Sequence, residues 1–111
     1  MPKRTHHFEL AADPDTVREA AARAIAELGW YASETGNVLE VREDPTGLCC
    51  TMSPVEANLR FWPVSKGTLI DIHVYVPGFG PIPKRQLADR AAGLEQRITR
   101  WTGQLGEAVP R

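Results

Sequence analysis

The stretch Gly67-Thr-Leu-Ile-Asp-Ile-His-Val-Tyr-Val-Pro-Gly-Phe-Gly-Pro81 constrains this chain more than any other. It holds the longest clean alternation in the sequence. Thr68, Ile70, Ile72, Val74 and Val76 fall on one side of a strand, and Leu69, Asp71, His73 and Tyr75 on the other. A Gly/Pro hinge follows, and then the longest helical pattern begins. The spacing predicts the last strand of an antiparallel sheet handing over to a helix that lies across that sheet.

The preceding chain supplies the rest of such a sheet. Residues 5–10 alternate, with His6, Phe8 and Leu10 on one side, and read as an opening strand. Asp13-Pro14 is an N-cap followed by a first helical residue, and Asp15 and Glu19 sit in the early turns where the helix dipole favours them. Val17, Ala20, Ala21, Ala24, Ile25 and Leu28 form one apolar face, mostly alanine, and Gly29 closes the helix. From Trp30 the period changes to 2. Gly36-Asn37 is a hairpin signal between 30–35 and 38–43, and Asp44-Pro45-Thr46-Gly47 is a four-residue turn. Further strand-like stretches follow at 48–53 and 55–64, and Ser65-Lys66-Gly67 turns the chain into the strand described first. The joint at Ser53-Pro54 is the weakest, because proline fits a tight hairpin badly. Taken as a fold, the order is strand, helix, four-stranded antiparallel meander and long C-terminal helix. This is an α+β domain with its helices on one face of the sheet.

A register test supports this order. With turns of two or four residues, Phe61 falls opposite Ile70, Leu59 opposite Ile72, Ala57 opposite Val74 and Val55 opposite Val76. Leu48, Cys50 and Met52, with Leu39 and Val41, continue the same apolar face. A slip of one residue would send each set to solvent. The other face pairs Arg60 with Asp71, Asn58 with His73 and Glu56 with Tyr75, and is read as a wet, charge-pairing surface. Beyond the hinge, Leu87, Ala91, Leu94, Ile98, Trp101 and Leu105 form a heptad-like stripe on a helix over about 83–104. The upstream sheet needs a cover, which favours packing of this stripe in cis over a coiled-coil dimer. Gly93 interrupts the helix and marks close approach to the sheet or room for a ligand. One domain over 1–111 is expected, with 1–4 and 107–111 frayed.

The opening Phe8-Glu9-Leu10-Ala11-Ala12-Asp13-Pro14-Asp15-Thr16-Val17 and the closing strand, hinge and helix are similar to those of the START/polyketide cyclase–lipid transport superfamily. These are helix-grip domains of TATA-binding-protein-like topology. In them the sheet curls around the C-terminal helix and encloses a site for apolar molecules. This chain is a shortened form, lacking two strands and a second short helix. The resemblance implies a non-catalytic module holding a small apolar ligand between sheet and final helix. Ile72, Val74, Phe79, Ile82, Leu94 and Ile98 are the candidate lining, with Phe79 and Ile82 at the lip. The superfamily shares no catalytic residue that could be carried over.

Composition narrows the alternatives. The 13 basic and 14 acidic residues leave a net charge of −1, which argues against nucleic-acid binding by counterion release. No apolar run approaches the ~20 residues that span a bilayer. Met-Pro-Lys-Arg-Thr-His-His lacks the apolar core of a signal peptide. A cytoplasmic location with reduced Cys49 and Cys50 is the default expectation. His6, His7, His73, Asp71 and the cysteines show no metal-ligand spacing, so neither metal nor cofactor is expected. Two other functions stay open. One is an interaction or homodimerisation module with a solid core, docking through Tyr31, Trp62, Leu69 and Tyr75. The other is an enzyme using Asp71 and His73 for acid–base work. Lys84 and Arg85 open the last helix, where the dipole disfavours cations, and point either to an anionic partner or to plain solvent exposure.

Overall fold

A computed structural model of the chain describes residues 3–44, 54–76 and 84–108, the side chains of 84 and 106–108 excepted. The elements are β1 (Lys3–Leu10), α1 (Pro14–Leu28), β2 (Tyr31–Thr35), β3 (Val38–Arg42), β4 (Glu56–Val64), β5 (Gly67–Tyr75) and α2 (Lys84–Ala108). The five strands form one sheet in the order β1-β5-β4-β3-β2, and every neighbouring pair is antiparallel. Regular structure extends further toward both ends than expected, since β1 begins at Lys3 and α2 continues to Ala108.

Local chemistry accounts for α1. Asp13 accepts from the Thr16 amide at 3.1 Å and from the Thr16 hydroxyl at 2.6 Å, and Pro14 takes the first helical position. At the other end Gly29 adopts φ 75°, donating to Ala26 O, while the Trp30 amide reaches Ile25 O. These two bonds are the Schellman pattern that satisfies the last carbonyls.

Packing follows from the alternation. Phe61 pairs with Ile70, Leu59 with Ile72 and Ala57 with Val74, as the sequence register requires. These side chains, with Leu39 and Val41, share one cluster with Val17, Ala20, Ala21, Ala24 and Ile25 of α1 and Leu87, Ala91, Leu94 and Ile98 of α2. Ile70, Ile72 and Val74 are each 0% exposed. At about 1.5–3 kcal/mol per buried large aliphatic side chain, these three alone penalise a one-residue slip heavily.

Two expectations are corrected. The stretch 48–53 was expected within the meander, but β3 pairs directly with β4, Val38 opposite Arg60 and Arg42 opposite Glu56, so no strand lies between them. The two strands share the hydrogen-bonding edge that such a strand would need. Residues 48–53 themselves, with Leu48, Cys49, Cys50 and Met52, lie outside the described residues, as do the hinge at 77–83 and the turn residues after Asp44. Gly93 is not a point of close approach, because a Cβ built there meets nothing within 4 Å. The glycine that does require close approach is Gly67. It has φ 153°, and a Cβ would lie 2.0 Å from Leu10 O and 2.9 Å from Ala11 Cα. The next residue, Thr68, donates its hydroxyl to Ala12 O at 2.7 Å. Here the exit from β1 crosses the start of β5 at backbone contact.

Gly67→Ala should therefore lower unfolding free energy by about 2–4 kcal/mol, through overpacking against an immovable carbonyl and a disfavoured φ. Gly93→Ala should raise it by about 0.5–1 kcal/mol. Urea titrations of both variants check this contrast. Asp13 gives a pH test. The Thr16 hydroxyl, then the Thr16 amide, hold its carboxyl below the ordinary value of 3.8. Its stabilising contribution is therefore present above that unfolded value and lost as pH falls through the lower folded one. The melting-temperature deficit of Asp13→Asn should be present near neutral pH and shrink below pH 3.8.

Candidate functional site

Four of the six candidate lining residues come together. Ile72 and Val74 lie on the helix-facing side of β5, Leu94 and Ile98 on the inward stripe of α2, and all four belong to the one core cluster. They are 0–1% exposed, so solvent does not reach them. Phe79 and Ile82 lie outside the described residues.

The helix cover ends before the β2 edge. Ala32 pairs with Val41 and Glu34 with Leu39, so both point to the helix side, yet every residue of β2 is exposed. Two arginines tie the β2–β3 hairpin to the helices across this margin. Arg18 of α1 donates to Asn37 Oδ1 at 2.8 Å and stacks 5.4 Å from the Phe61 ring centroid. Arg90 of α2 donates through Nε to Glu43 Oε2 at 2.7 Å. Glu43 is 5% exposed, and its other oxygen accepts from the Val55 amide at 3.3 Å. Gln86 stands one turn before Arg90 on the same helix face, with a solvent-shielded Nε2 that has no hydrogen-bond partner among the described residues. A further polar contact joins His6 Nε2 of β1 to Glu95 of α2. Sequence reasoning named none of these contacts. One signal was available: Glu43 continues the Leu39, Val41 alternation and so places a carboxylate on the core side.

The opposite face is polar and open. Thr5, Asn58, Arg60, Asp71 and His73 surround a depression of about 340 Å³. A second depression of about 350 Å³ includes Tyr31, Glu40, Arg42, Glu56, Asn58 and Tyr75. Arg60 does stand opposite Asp71, but among the described residues no ion pair joins them; the cross-strand pair that forms is Arg42–Glu56 at 3.2 Å. His73 Nδ1 lies 3.1 Å from the Thr5 hydroxyl, and among the described residues no hydrogen bond links it to Asp71. The carboxylate therefore does not orient the imidazole, which an acid–base pair would need. Partial burial, then the charges of Glu56 and Glu40, push the Tyr75 phenol above its ordinary 10.0. Among the described residues Tyr31 and Trp62 are the exposed large hydrophobics, at 60% and 44%, while Leu69 and Tyr75 are half-buried. Among the described residues no group of three or more His, Cys, Asp or Glu could hold a metal ion, and no helix is long and apolar enough to cross a membrane.

No family model matches the chain. No curated protein sequence matches it either. Its likeness is to solved structures. The crystal structure of Ara h 8.0201 superposes with a TM-score of 0.60 at 12% identity, covering 95% of this chain and 97% of that one. TTHA0849 from Thermus thermophilus gives 0.56 at 12% identity, covering 97% and 100%. The di-domain ARO/CYC StfQ of the steffimycin biosynthetic pathway gives 0.58 at 10% identity; 96% of this chain matches about half, 52%, of that one. Identities of this size show a shared fold alone, the helix-grip fold.

The Glu43–Arg90 pair makes a stability test of the margin. Arg90→Met leaves a buried carboxylate without its counter-ion and should cost about 3–5 kcal/mol. Glu43→Gln with Arg90→Met should recover most of that loss. A double-mutant cycle by chemical denaturation measures the difference.

Proposed function

We propose that this chain is a non-catalytic binding module for a small apolar molecule, held between the sheet and α2. Ile72, Val74, Leu94 and Ile98 form the walls. The observation that carries this reading is the margin at β2, where the helix-side residues Ala32 and Glu34 are exposed near the buried Glu43 carboxylate and its Arg90 partner. The helix-grip fold, whose members often bind hydrophobic molecules, supports it. Because the four walls are 0–1% exposed, occupancy requires α2 to move away from the sheet. A second reading draws on that same closure: a solid core whose open face, with Tyr31 and Trp62 exposed, docks a second copy or another protein.

The neutral fluorophore N-phenylnaphthylamine separates the two. Saturable enhancement of its emission on titration with the chain is the expected result. Leu94→Ala should bind it more tightly, although it costs about 2–5 kcal/mol of stability. Absence of enhancement, with a dimer in sedimentation, would establish the second reading.

A further inference from the structure

We infer that the open face of the sheet carries a second site, independent of the groove reading above, in which Arg60 and Asp71 hold the carboxylate and the ammonium of a small zwitterion of the amino-acid class. Thr5, His73 and Asn58 form one row across β1, β5 and β4, and Asp71 and Arg60 stand in the next row on the same face. Together these five side chains surround the depression of about 340 Å³. Each belongs to a regular strand, so the sheet itself fixes their spacing. Thr5 holds the His73 ring through Nδ1 at 3.1 Å. Among the described residues the side chains of Asn58, Arg60 and Asp71 make no hydrogen bond or ion pair.

Arg60 and Asp71 would ordinarily pair. Residues directly opposite on antiparallel strands have Cβ atoms roughly 4.5–5.5 Å apart, near enough for opposite charges to meet. On the same face Arg42 does reach Glu56 across strands, at 3.2 Å. Asp71 is only partly exposed, so its carboxylate loses some hydration and gains no partner in return. A ligand of single charge fits this arrangement badly. An anion held by Arg60 meets the Asp71 carboxylate, and a cation held by Asp71 meets the guanidinium. A molecule carrying both charges satisfies both side chains at once. The planar N–H fork of Arg60 matches a carboxylate, and Asp71 accepts from an ammonium. Asn58, able to donate and accept, and the second ring nitrogen of His73 serve a polar body of such a ligand. No apolar side chain lines the depression, in contrast to the layer beneath the helices. Because Arg60 is exposed, the affinity should be weak, with a Kd on the order of millimolar.

Three probes test the assignment by backbone-amide chemical-shift titration near neutral pH: L-glutamine, N-acetyl-L-glutamine, which lacks the ammonium, and L-glutaminamide, which lacks the carboxylate. Three proteins are compared: the unaltered chain, Arg60→Gln and Asp71→Asn. L-Glutamine should give saturable shifts centred on Thr5, Asn58 and His73. Both analogues should bind the unaltered chain about tenfold more weakly or worse. Each variant should bind L-glutamine about tenfold more weakly than the unaltered chain does. Asp71→Asn should no longer distinguish L-glutamine from its acetylated form, and Arg60→Gln should no longer distinguish it from the amide. Both substitutions lie on the open face, so the melting temperature should stay close to that of the unaltered chain, which separates binding from folding. Absence of saturable shifts, analogues that bind as well as L-glutamine, or variants that keep the discrimination would each overturn the assignment. None of these outcomes bears on the groove, which N-phenylnaphthylamine reports separately.

Discussion

The structure depends on the placement of β5 between β1 and β4. That strand pairs on both sides along its length, Thr68 to Tyr75 with β1 and Gly67 to Tyr75 with β4. Its apolar side then becomes the floor under both helices. The placement is possible only because Gly67 lets the Leu10 carbonyl approach at a distance that no side chain would allow. Thr68 closes the same junction by donating to Ala12 O. With β1 held there, α1 begins directly above the sheet, and its alanine face, Ala20, Ala21 and Ala24, can come down close to it.

The helices are secured to each other and to the sheet by polar contacts around the rim of this core. Arg97 and Arg100 of α2 both reach Glu27 of α1, and Arg23 lies 5.6 Å from the Trp101 ring centroid. These partners are substantially exposed and individually weak. The Glu43–Arg90 contact differs because its carboxylate is buried. It sits where the helical cover ends, at the boundary between a tightly packed layer and the exposed β2 edge.

Much of this was legible in the residues. The caps of α1 are local chemistry, complete within Asp13–Thr16 at one end and Gly29 at the other. The register of β4 against β5 followed from alternation across a short turn, where a slip would have inverted both faces. Contacts between distant segments were not legible. Nothing near Glu43 announces Arg90, 47 residues away, because only the crossing of α2 over the sheet brings them together. Strand order within the meander was misjudged for a related reason: a strand-like pattern at 48–53 says nothing about whether β3 has already taken the edge of β4. Gly93 was misread because helix periodicity locates a face without giving the distance to its neighbour. On the open face, adjacency of Arg60 and Asp71 was predicted correctly, but a Cα register does not determine which rotamers meet.

The pairing of β1 with β5 also orders events in time. Thr5 and His73 meet across 68 residues of chain. The β2–β3 and β4–β5 turns close loops of a few residues and can form as soon as their strands exist. During synthesis β1 emerges first and, at about 5–20 residues per second, waits several seconds for its partner. Over that interval it is an unpaired strand whose sequence begins Lys3-Arg4-Thr5-His6-His7. Charged and polar residues of this kind discourage pairing between chains. The polar start of β1 thus protects the nascent chain as well as the edge of the finished sheet.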